Sequence, residues 1–237
     1  MADDPLPFAS RRPPAMGVHG LVASSQAAAT AAGTAVLSAG GTAADAAVAV
    51  AGALAVAEPC STGLGGDVFA LYYTAASGEV DALLGAGPSP GGLDLPTAST
   101  AAVAAAKDAP DAPLMIPPAS PLAVTVPGAA SAWAALVETH GVLPLSAALA
   151  PAIELAERGV VVGEVTAHQW AAAVPLLAAA PGAAASTFLP PPPRGRCGAT
   201  QTWRRRSGVS RRAAPTGFTV GPSRRPLPPR CLPPAAC

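Results

Sequence analysis

The chain has 237 residues, of which 12% are charged and 4% aromatic, and its formal net charge is zero. This length allows one domain or one domain with a tail, and the Ala-rich composition favours helices that pack closely through small side chains. The charge is unevenly divided, because all 14 acidic residues lie at or before Glu164 and ten Arg follow position 189. The chain therefore joins two different kinds of sequence.

Metal-dependent, membrane-spanning and exported classes have no support in the sequence. Cys60 stands alone in the first part, the other three Cys lie in the tail, and neither they nor the three His have metal-ligand spacing. The longest apolar run, 43–57, falls short of the roughly 20 residues that span a bilayer. The N-terminus has no apolar signal core. We therefore expect a soluble cytoplasmic protein without a cofactor, a membrane partner or a nucleic-acid partner.

The first elements in chain order are an extended Pro-rich segment, a short strand and two helices. Residues 20–24 are predicted to form the strand, and Ser24 or Ser25 is a plausible N-cap for a helix over 26–38 that ends at Gly40-Gly41. Thr42 can cap the next helix, with Asp45 as a capping carboxylate. Because this second helix is apolar on every face, it is predicted to be buried.

A turn-rich loop, Glu58 to Asp67, separates that helix from the apolar strand 68–74. Its Gly-x-Gly-Gly cluster allows positive φ values and close backbone approach. A dinucleotide site needs strand, glycine turn and helix in that order, and here a helix enters the loop and a strand leaves it. Two interpretations stay open, a tight connection between packed elements or a loop near a site. The site-proximal candidates are Ser61, Thr62, Gly63, Gly65, Gly66 and Asp67.

A hairpin and several helices follow the loop. Residues 75–78 are predicted to turn between strands 68–74 and 79–84, and residues 122–126 to form a further strand. Helices are predicted over 98–107, 129–140, 146–158 and 164–180. In the helix over 129–140, one side carries Trp133, Leu136 and Val137, and His140 lies in the last turn, where it suits the helix dipole.

The character of the sequence changes near Pro190. The segment that follows combines Arg, Pro, Gly, Ser and Cys without a sustained apolar period, so we expect disorder, and we hypothesise that it is a gene-model artefact. The predicted organisation is an extended segment over 1–17, a folded region over 18–188 and a tail over 189–237.

The loop and its flanks resemble the γ-glutamyltranspeptidase family, also called glutathione hydrolases. The similar blocks occur in family order from about residue 8 to about residue 177, within the large-subunit region of that family. These blocks are Val22 to Gln26, Gly40 to Ala49, Glu58 to Tyr73, Val124 to Ala129 and Leu149 to Gly159.

The resemblance implies a mixed α/β (α+β) fold, namely a helix-rich part of the four-layer αββα sandwich of N-terminal nucleophile hydrolases. In that family a precursor cuts itself into two subunits, and the newly exposed Thr is the nucleophile, with its own amine as base. The implied reaction passes the γ-glutamyl group of glutathione, or of another γ-glutamyl compound, to water or to an amino acid or peptide. No metal or organic cofactor is implied.

Two departures from the family pattern bear on activity. Nothing after about residue 177 matches, so no catalytic residue is assigned, and internal residues such as Thr62 or Thr125 lack the free α-amine. The segment in which the family holds the substrate carboxylate with an Arg reads Leu84 to Pro90, with Pro88 or Ala86 in the position of that Arg. We therefore expect a chain truncated before its nucleophile, inactive alone and in need of the small-subunit region.

Two alternatives remain open beside the enzyme-family interpretation. One is a non-enzymatic fragment or degenerate paralogue, and the other is an interaction protein that acts through its basic tail. On the family fold, we also expect unpaired strand edges and exposed apolar sheet faces near 68–84 and 122–126, with poor solubility as the result.

Overall fold

The computed structural model describes residues 14–106, 115–116, 120–179, 188–189 and 191. The tail predicted over 189–237 falls almost entirely outside these residues, as does the segment over 1–13. Seven α-helices, two strands and one 3₁₀ turn occur in the described part of the chain. They are α1 (Ala27–Ser38), α2 (Ala43–Ala57), β1 (Val68–Thr74), β2 (Glu79–Gly85), α3 (Leu95–Ala106), the 3₁₀ turn (Pro121–Ala123), α4 (Ala129–His140), α5 (Leu145–Ala148), α6 (Ala150–Arg158) and α7 (Glu164–Ala179).

The predicted helical pair at the start of the fold is confirmed, but the elements before it are not. Residues 20–24 form no strand, and the N-cap of α1 is Gln26, without a side-chain capping bond. Ser24 instead lies 2.7 Å from the hydroxyl of Thr30, inside α1. Gly40 follows α1 with φ of 89°, a conformation that favours glycine and ends the helix.

Helix α2 is the centre of the core, as its wholly apolar sequence predicted. Its residues belong to all three buried clusters, which join it to α1, to α4 with α5, and to α6. Small residues bring the helices close together, since a side chain at Gly33 would meet Val50 at 2.6 Å and one at Gly52 would meet Leu149 at 2.9 Å. The core therefore depends on close backbone approach rather than on large side chains.

The predicted capping box at the start of α2 is present. The hydroxyl of Thr42 accepts from the backbone N–H of Asp45, and the Asp45 carboxylate accepts from the backbone N–H of Thr42 at 2.9 Å. The same carboxylate accepts from the N–H of Val142, beyond the end of α4, at 3.0 Å. Asp45 is completely buried, so one capping carboxylate fastens the start of α2 to the end of α4.

Strands β1 and β2 form the predicted antiparallel hairpin, with Phe69 opposite Leu84. The inner face packs on α2 and α4 through Val68, Ala70, Tyr72 and Leu83. Tyr72 stacks on the imidazole of His140 with ring centroids 4.1 Å apart, and His140 Nε2 lies 3.6 Å from a carboxylate oxygen of Asp81. His140, predicted only as a helix-end residue, therefore also packs α4 against the hairpin.

Three further predicted elements are wrong in type or extent. The strand predicted over 122–126 is absent, because Ser120 caps a 3₁₀ turn that begins at Pro121. The helix predicted over 146–158 is two helices, since α5 ends at Ala148 and Pro151 lies in the first turn of α6. Helix α3 begins at Leu95 rather than 98, because the Asp94 carboxylate accepts from the N–H of Thr97 at 2.9 Å.

The described architecture is a helical layer packed on one face of a two-stranded sheet. Of the predicted four layers, the described residues supply helices and this single hairpin. The outer face of the hairpin is open, and its exposed side chains are Phe69, Leu71, Tyr73, Val80 and Leu84. Within the described ranges, no helix combines the length and the apolar character that crossing a bilayer requires.

Candidate functional site

The loop from Glu58 to Asp67 begins as a tight turn at the end of α2. The backbone N–H groups of Ser61 and Thr62 both donate to the carbonyl oxygen of Glu58, at 3.0 and 3.3 Å. The hydroxyl of Ser61 and the thiol of Cys60 each lie 3.5 Å from the side-chain oxygen of Gln169 on α7. The first half of the loop is therefore held against α7, while Cys60, Ser61 and Thr62 stay exposed.

The Glu58 side chain binds the start of α1. One carboxylate oxygen accepts from the hydroxyl of Ser25 at 2.7 Å and from the amide of Gln26 at 2.9 Å. Burial acts to raise the pKa of Glu58, but hydrogen bonds from Ser25, Gln26 and Ser61 outweigh it, so the pKa lies below its ordinary value. The ionised carboxylate of Glu58 is therefore the form that joins the end of α2 to the start of α1.

The end of the loop contacts the N-terminus of α4. The carbonyl oxygen of Gly66 accepts from the N–H of Gly128 at 3.2 Å and from the N–H of Ala129 at 3.0 Å. Helix N-termini leave such N–H groups without intrahelical partners. The carbonyl oxygen of Gly66 accepts from two such N–H groups, so these two donors at the start of α4 are already hydrogen-bonded within the chain.

Asp67 connects the loop to the segment that follows β2. Its Oδ1 accepts from the backbone N–H of Gly87 at 3.3 Å and from the hydroxyl of Thr125 at 3.1 Å. The N–H of Val126 in turn donates to the carbonyl oxygen of Pro88 at 3.0 Å. The loop, the segment over 85–88 and the segment over 124–126 therefore meet at Asp67, and we name this meeting point the Asp67 junction.

Steric constraint that requires glycine occurs at this junction, but at Gly87 and Gly128 rather than at the Gly63 and Gly65 of the loop. A side chain added at Gly87 would lie 1.6 Å from the carbonyl oxygen of Val126, and one at Gly128 would lie 2.2 Å from that of Gly85. Neither Gly63 nor Gly65 has any atom within 4 Å of such a side chain, and Gly66 has only a contact at 3.8 Å. The positive φ values expected of Gly63, Gly65 and Gly66 are absent.

The predicted site-proximal residues are exposed, apart from half-buried Gly63. Thr62, Gly65, Gly66 and Asp67 are exposed, as are Ala86 and Pro88, and the hydrogen bonds of Asp67 bring the two groups together. Sequence reasoning gave no supporting role to seven further residues, because they are separated along the chain, although five of them lie in the blocks that carry the family resemblance. They are Ser25, Gln26, Glu58, Gly87, Thr125, Gly128 and Gln169.

The electrostatic character of the described surface is acidic. The described part of the chain contains ten acidic residues and a single Lys or Arg residue, Arg158. Arg158 pairs with Glu154 on α6 at 2.7 Å. The segment Ala86 to Pro90 contains no cationic side chain. Among the described residues, no three His, Cys, Asp or Glu side chains are grouped in a way that could hold a metal ion.

The chain matches a model of the family described as gamma-glutamyltranspeptidase over residues 29–210. It is 36% identical over 156 residues to the acylase ACY 1 proenzyme of Pseudomonas sp. (strain V22), covering 65% of this chain and 27% of the relative. It is 35% identical over 168 residues to the glutathione hydrolase-like YwrD proenzyme of Bacillus subtilis, covering 70% of this chain and 30% of that relative. The chain therefore spans less than a third of the length of either relative.

Solved structures show the same fold over most of the chain. The cephalosporin acylase of Bacillus halodurans superposes with a TM-score of 0.69 at 37% identity, covering 86% of this chain and 39% of the other. The γ-glutamyltranspeptidase of Helicobacter pylori superposes with a TM-score of 0.67 at 27% identity, covering 81% and 54%. The described core is thus part of an N-terminal nucleophile hydrolase fold. The chain belongs to the γ-glutamyltranspeptidase family, as the sequence resemblance predicted. The matched residues run to 210, beyond the limit of about residue 177 that the resemblance set.

Proposed function

We propose that the chain is the large-subunit part of a γ-glutamyltransferase or glutathione hydrolase, which transfers a γ-glutamyl group to water or to an amino-acid or peptide acceptor. The observation that carries this proposal is the Asp67 junction. It joins the family's glycine loop to Gly87, which lies between Ala86 and Pro88, the two positions that the resemblance gives for the family's carboxylate-binding Arg. In this proposal the chain contributes the scaffold beside the site.

The nucleophile comes from elsewhere in this mechanism. A Thr hydroxyl attacks the γ-amide carbonyl, an ester forms as the amine departs, and water or an acceptor amine then cleaves the ester. The attacking Thr gives its proton to its own free α-amine. Thr62 and Thr125 carry their α-nitrogens in peptide bonds, so neither can act in this way. We propose that a small-subunit region supplies the nucleophile and that its sheet covers the open outer face of the hairpin.

A second candidate is a related acylase that cleaves an amide of a different acyl group. The similarity to acylases supports it, and so does the presence of Pro88 where the family has its carboxylate-binding Arg. Both candidates share the ester mechanism and differ in the acyl group that the site accepts. The choice between them is therefore a question of substrate.

The test uses γ-glutamyl p-nitroanilide and follows release of the chromophore. The 237-residue chain alone should release none above the buffer rate. Co-expression with the C-terminal portion of the Bacillus subtilis relative, beyond the part that this chain matches, should produce turnover. The matched control replaces by Ala the Thr that self-cleavage would expose within that portion, and it should abolish turnover.

Two outcomes would change the proposal. Turnover by the chain alone, surviving repurification, would overturn the assignment of the nucleophile to another region. Release from a simple acyl anilide but not from the γ-glutamyl compound would favour the acylase candidate.

A further inference from the structure

We propose that Asp67 is a specificity-determining residue that disfavours acyl groups bearing a carboxylate and favours those that carry an amine or no charge. This inference rests on the proposed function, because it assumes that the acyl group lies against the Asp67 junction. An Arg at position 86 or 88 would favour acyl groups with a carboxylate, and the negative charge of Asp67 has the opposite effect.

The position of Asp67 supports this role. Its Oδ1 accepts from Gly87 N at 3.3 Å, which fixes the carboxylate one residue away from both Ala86 and Pro88. The second bond, from the Thr125 hydroxyl at 3.1 Å, restrains the same oxygen from the other side. A carboxylate held at two points stays beside the segment instead of rotating into solvent.

The other carboxylate oxygen is available to a ligand. Oδ2 accepts no hydrogen bond from any residue that the structure describes, and the Asp67 side chain is exposed. Ionised carboxylate oxygens accept hydrogen bonds and donate none. An ammonium or N–H group on a ligand can therefore bind Oδ2, whereas a ligand carboxylate would be repelled.

No cation on the segment offsets this charge. All five residues from Ala86 to Pro90 are uncharged. A side-chain carbon added at Gly63 or Gly65 would meet no atom within 4 Å, so neither loop position is packed against another described part of the chain. The junction thus presents one fixed negative charge and small neutral residues.

The experiment compares four p-nitroanilides as ligands of the intact 237-residue chain by ligand-observed NMR titration at low salt. The acyl groups are γ-glutamyl, which has an amine and a carboxylate, 4-aminobutyryl, which has the amine alone, glutaryl, which has the carboxylate alone, and butyryl, which has neither. Each compound without a carboxylate should bind about two- to fivefold more tightly than its carboxylate-bearing counterpart, the range expected for an exposed charge.

Two substitutions test the residue itself. Asp67→Asn keeps the size of the side chain. It should bring close to one the ratio of dissociation constants in each pair, γ-glutamyl to 4-aminobutyryl and glutaryl to butyryl. Glu138→Gln, which removes an exposed carboxylate on α4, should leave both ratios unchanged. Pro88→Arg should reverse the ratios by adding a cation, and it tests the inference even where the Asp67 variant does not fold. A merely structural role of Asp67 would weaken all four ligands equally and leave the ratios unchanged.

The remaining outcomes separate this inference from the proposed function. Tighter binding of the glutaryl and γ-glutamyl compounds by the wild-type chain would overturn the inference and leave the proposed function standing. Failure of all four compounds to bind would overturn the inference, whereas the proposed function would still be decided by the co-expression test.

Discussion

The side-chain amide of Gln26 donates to a carboxylate oxygen of Glu58 at 2.9 Å and to the hydroxyl of Thr166, also at 2.9 Å. One residue at the start of α1 therefore joins the end of α2 to the first turn of α7. Thr166 is buried, so its hydroxyl depends on this partner rather than on water. This contact sets the position of α7 against the glycine loop.

Glu58→Gln should loosen α7 without unfolding the core. Loss of the charged acceptor should lower the free energy of unfolding by about 1–2 kcal/mol and speed amide exchange in α7. Since the folded pKa of Glu58 lies below its ordinary 4.5, its contribution is present above that value and is lost as the pH falls through the folded pKa. Urea denaturation between pH 3 and pH 7, with hydrogen exchange, measures both effects.

Glu157→Gln, which removes an exposed carboxylate on α6, is the matched control and should change neither quantity. Equal exchange rates in α7 for wild type and Glu58→Gln would show that Glu58 does not hold this helix.

Gly87→Ala and Gly128→Ala should each destabilise the fold by about 1–3 kcal/mol, because the added carbon meets backbone atoms that cannot rotate away. The distances of 1.6 Å to Val126 O and 2.2 Å to Gly85 O leave no room for it. Chemical denaturation of the purified variants measures the loss.

The control for these variants is Gly65→Ala, which adds the same carbon in open space. It should leave the unfolding midpoint within error of the wild type. A loss at Gly65 as large as that at Gly87 would place the steric demand in the loop itself, against the structure.

Asp45→Ala should lower the free energy of unfolding by about 2–4 kcal/mol, because it removes the α2 cap and leaves the N–H groups of Thr42 and Val142 unpaired. Burial acts to raise the pKa of Asp45, but hydrogen bonds from Val142, Thr42 and Leu143 lower it below 3.8. The stabilisation is therefore present above pH 3.8 and is lost as the pH falls through the folded pKa. Thermal unfolding across this range measures it.

Asp94→Ala provides the comparison, since Asp94 also caps a helix but does so at the surface without a second helix attached. It should cost less than Asp45→Ala. A larger loss at Asp94 would contradict the role of Asp45 as a bond between two helices.

Leu71→Lys should improve the solubility of the isolated chain without lowering its stability. Leu71 is 78% exposed at the centre of the apolar outer face of the hairpin, so the charge enters water rather than the core. Light scattering and binding of a hydrophobic dye should both decrease. Leu136→Lys, at a buried position of α4, should instead prevent folding, and equal behaviour of the two variants would contradict the assignment of the two faces.

Local patterns predicted the hairpin and most of the helices. The apolar run of α2, the Thr42 cap and the turn before Gly78 each act within a few residues, so their interactions can be read along the chain. Most errors have local causes that sequence reasoning overlooked, such as the Asp94 cap of α3 and Pro151 at the start of α6. Contacts between distant residues could not be read from the sequence. Where the strand over 122–126 was predicted, the backbone N–H of Val126 donates to the carbonyl oxygen of Pro88, and this bond joins positions on either side of α3.

The sequence by itself determined the helical core, the hairpin and the family, because helix caps, apolar periodicity and motif blocks are local properties of the chain. Only the tertiary structure decided what the glycine loop does. Gly63 and Gly65 have no steric reason to be glycine within this core, whereas Gly87 and Gly128 do, because their neighbours come from segments far away in sequence. Asp67 acquires its position in the same way, since its partners at Gly87 and Thr125 become neighbours only when the chain is folded.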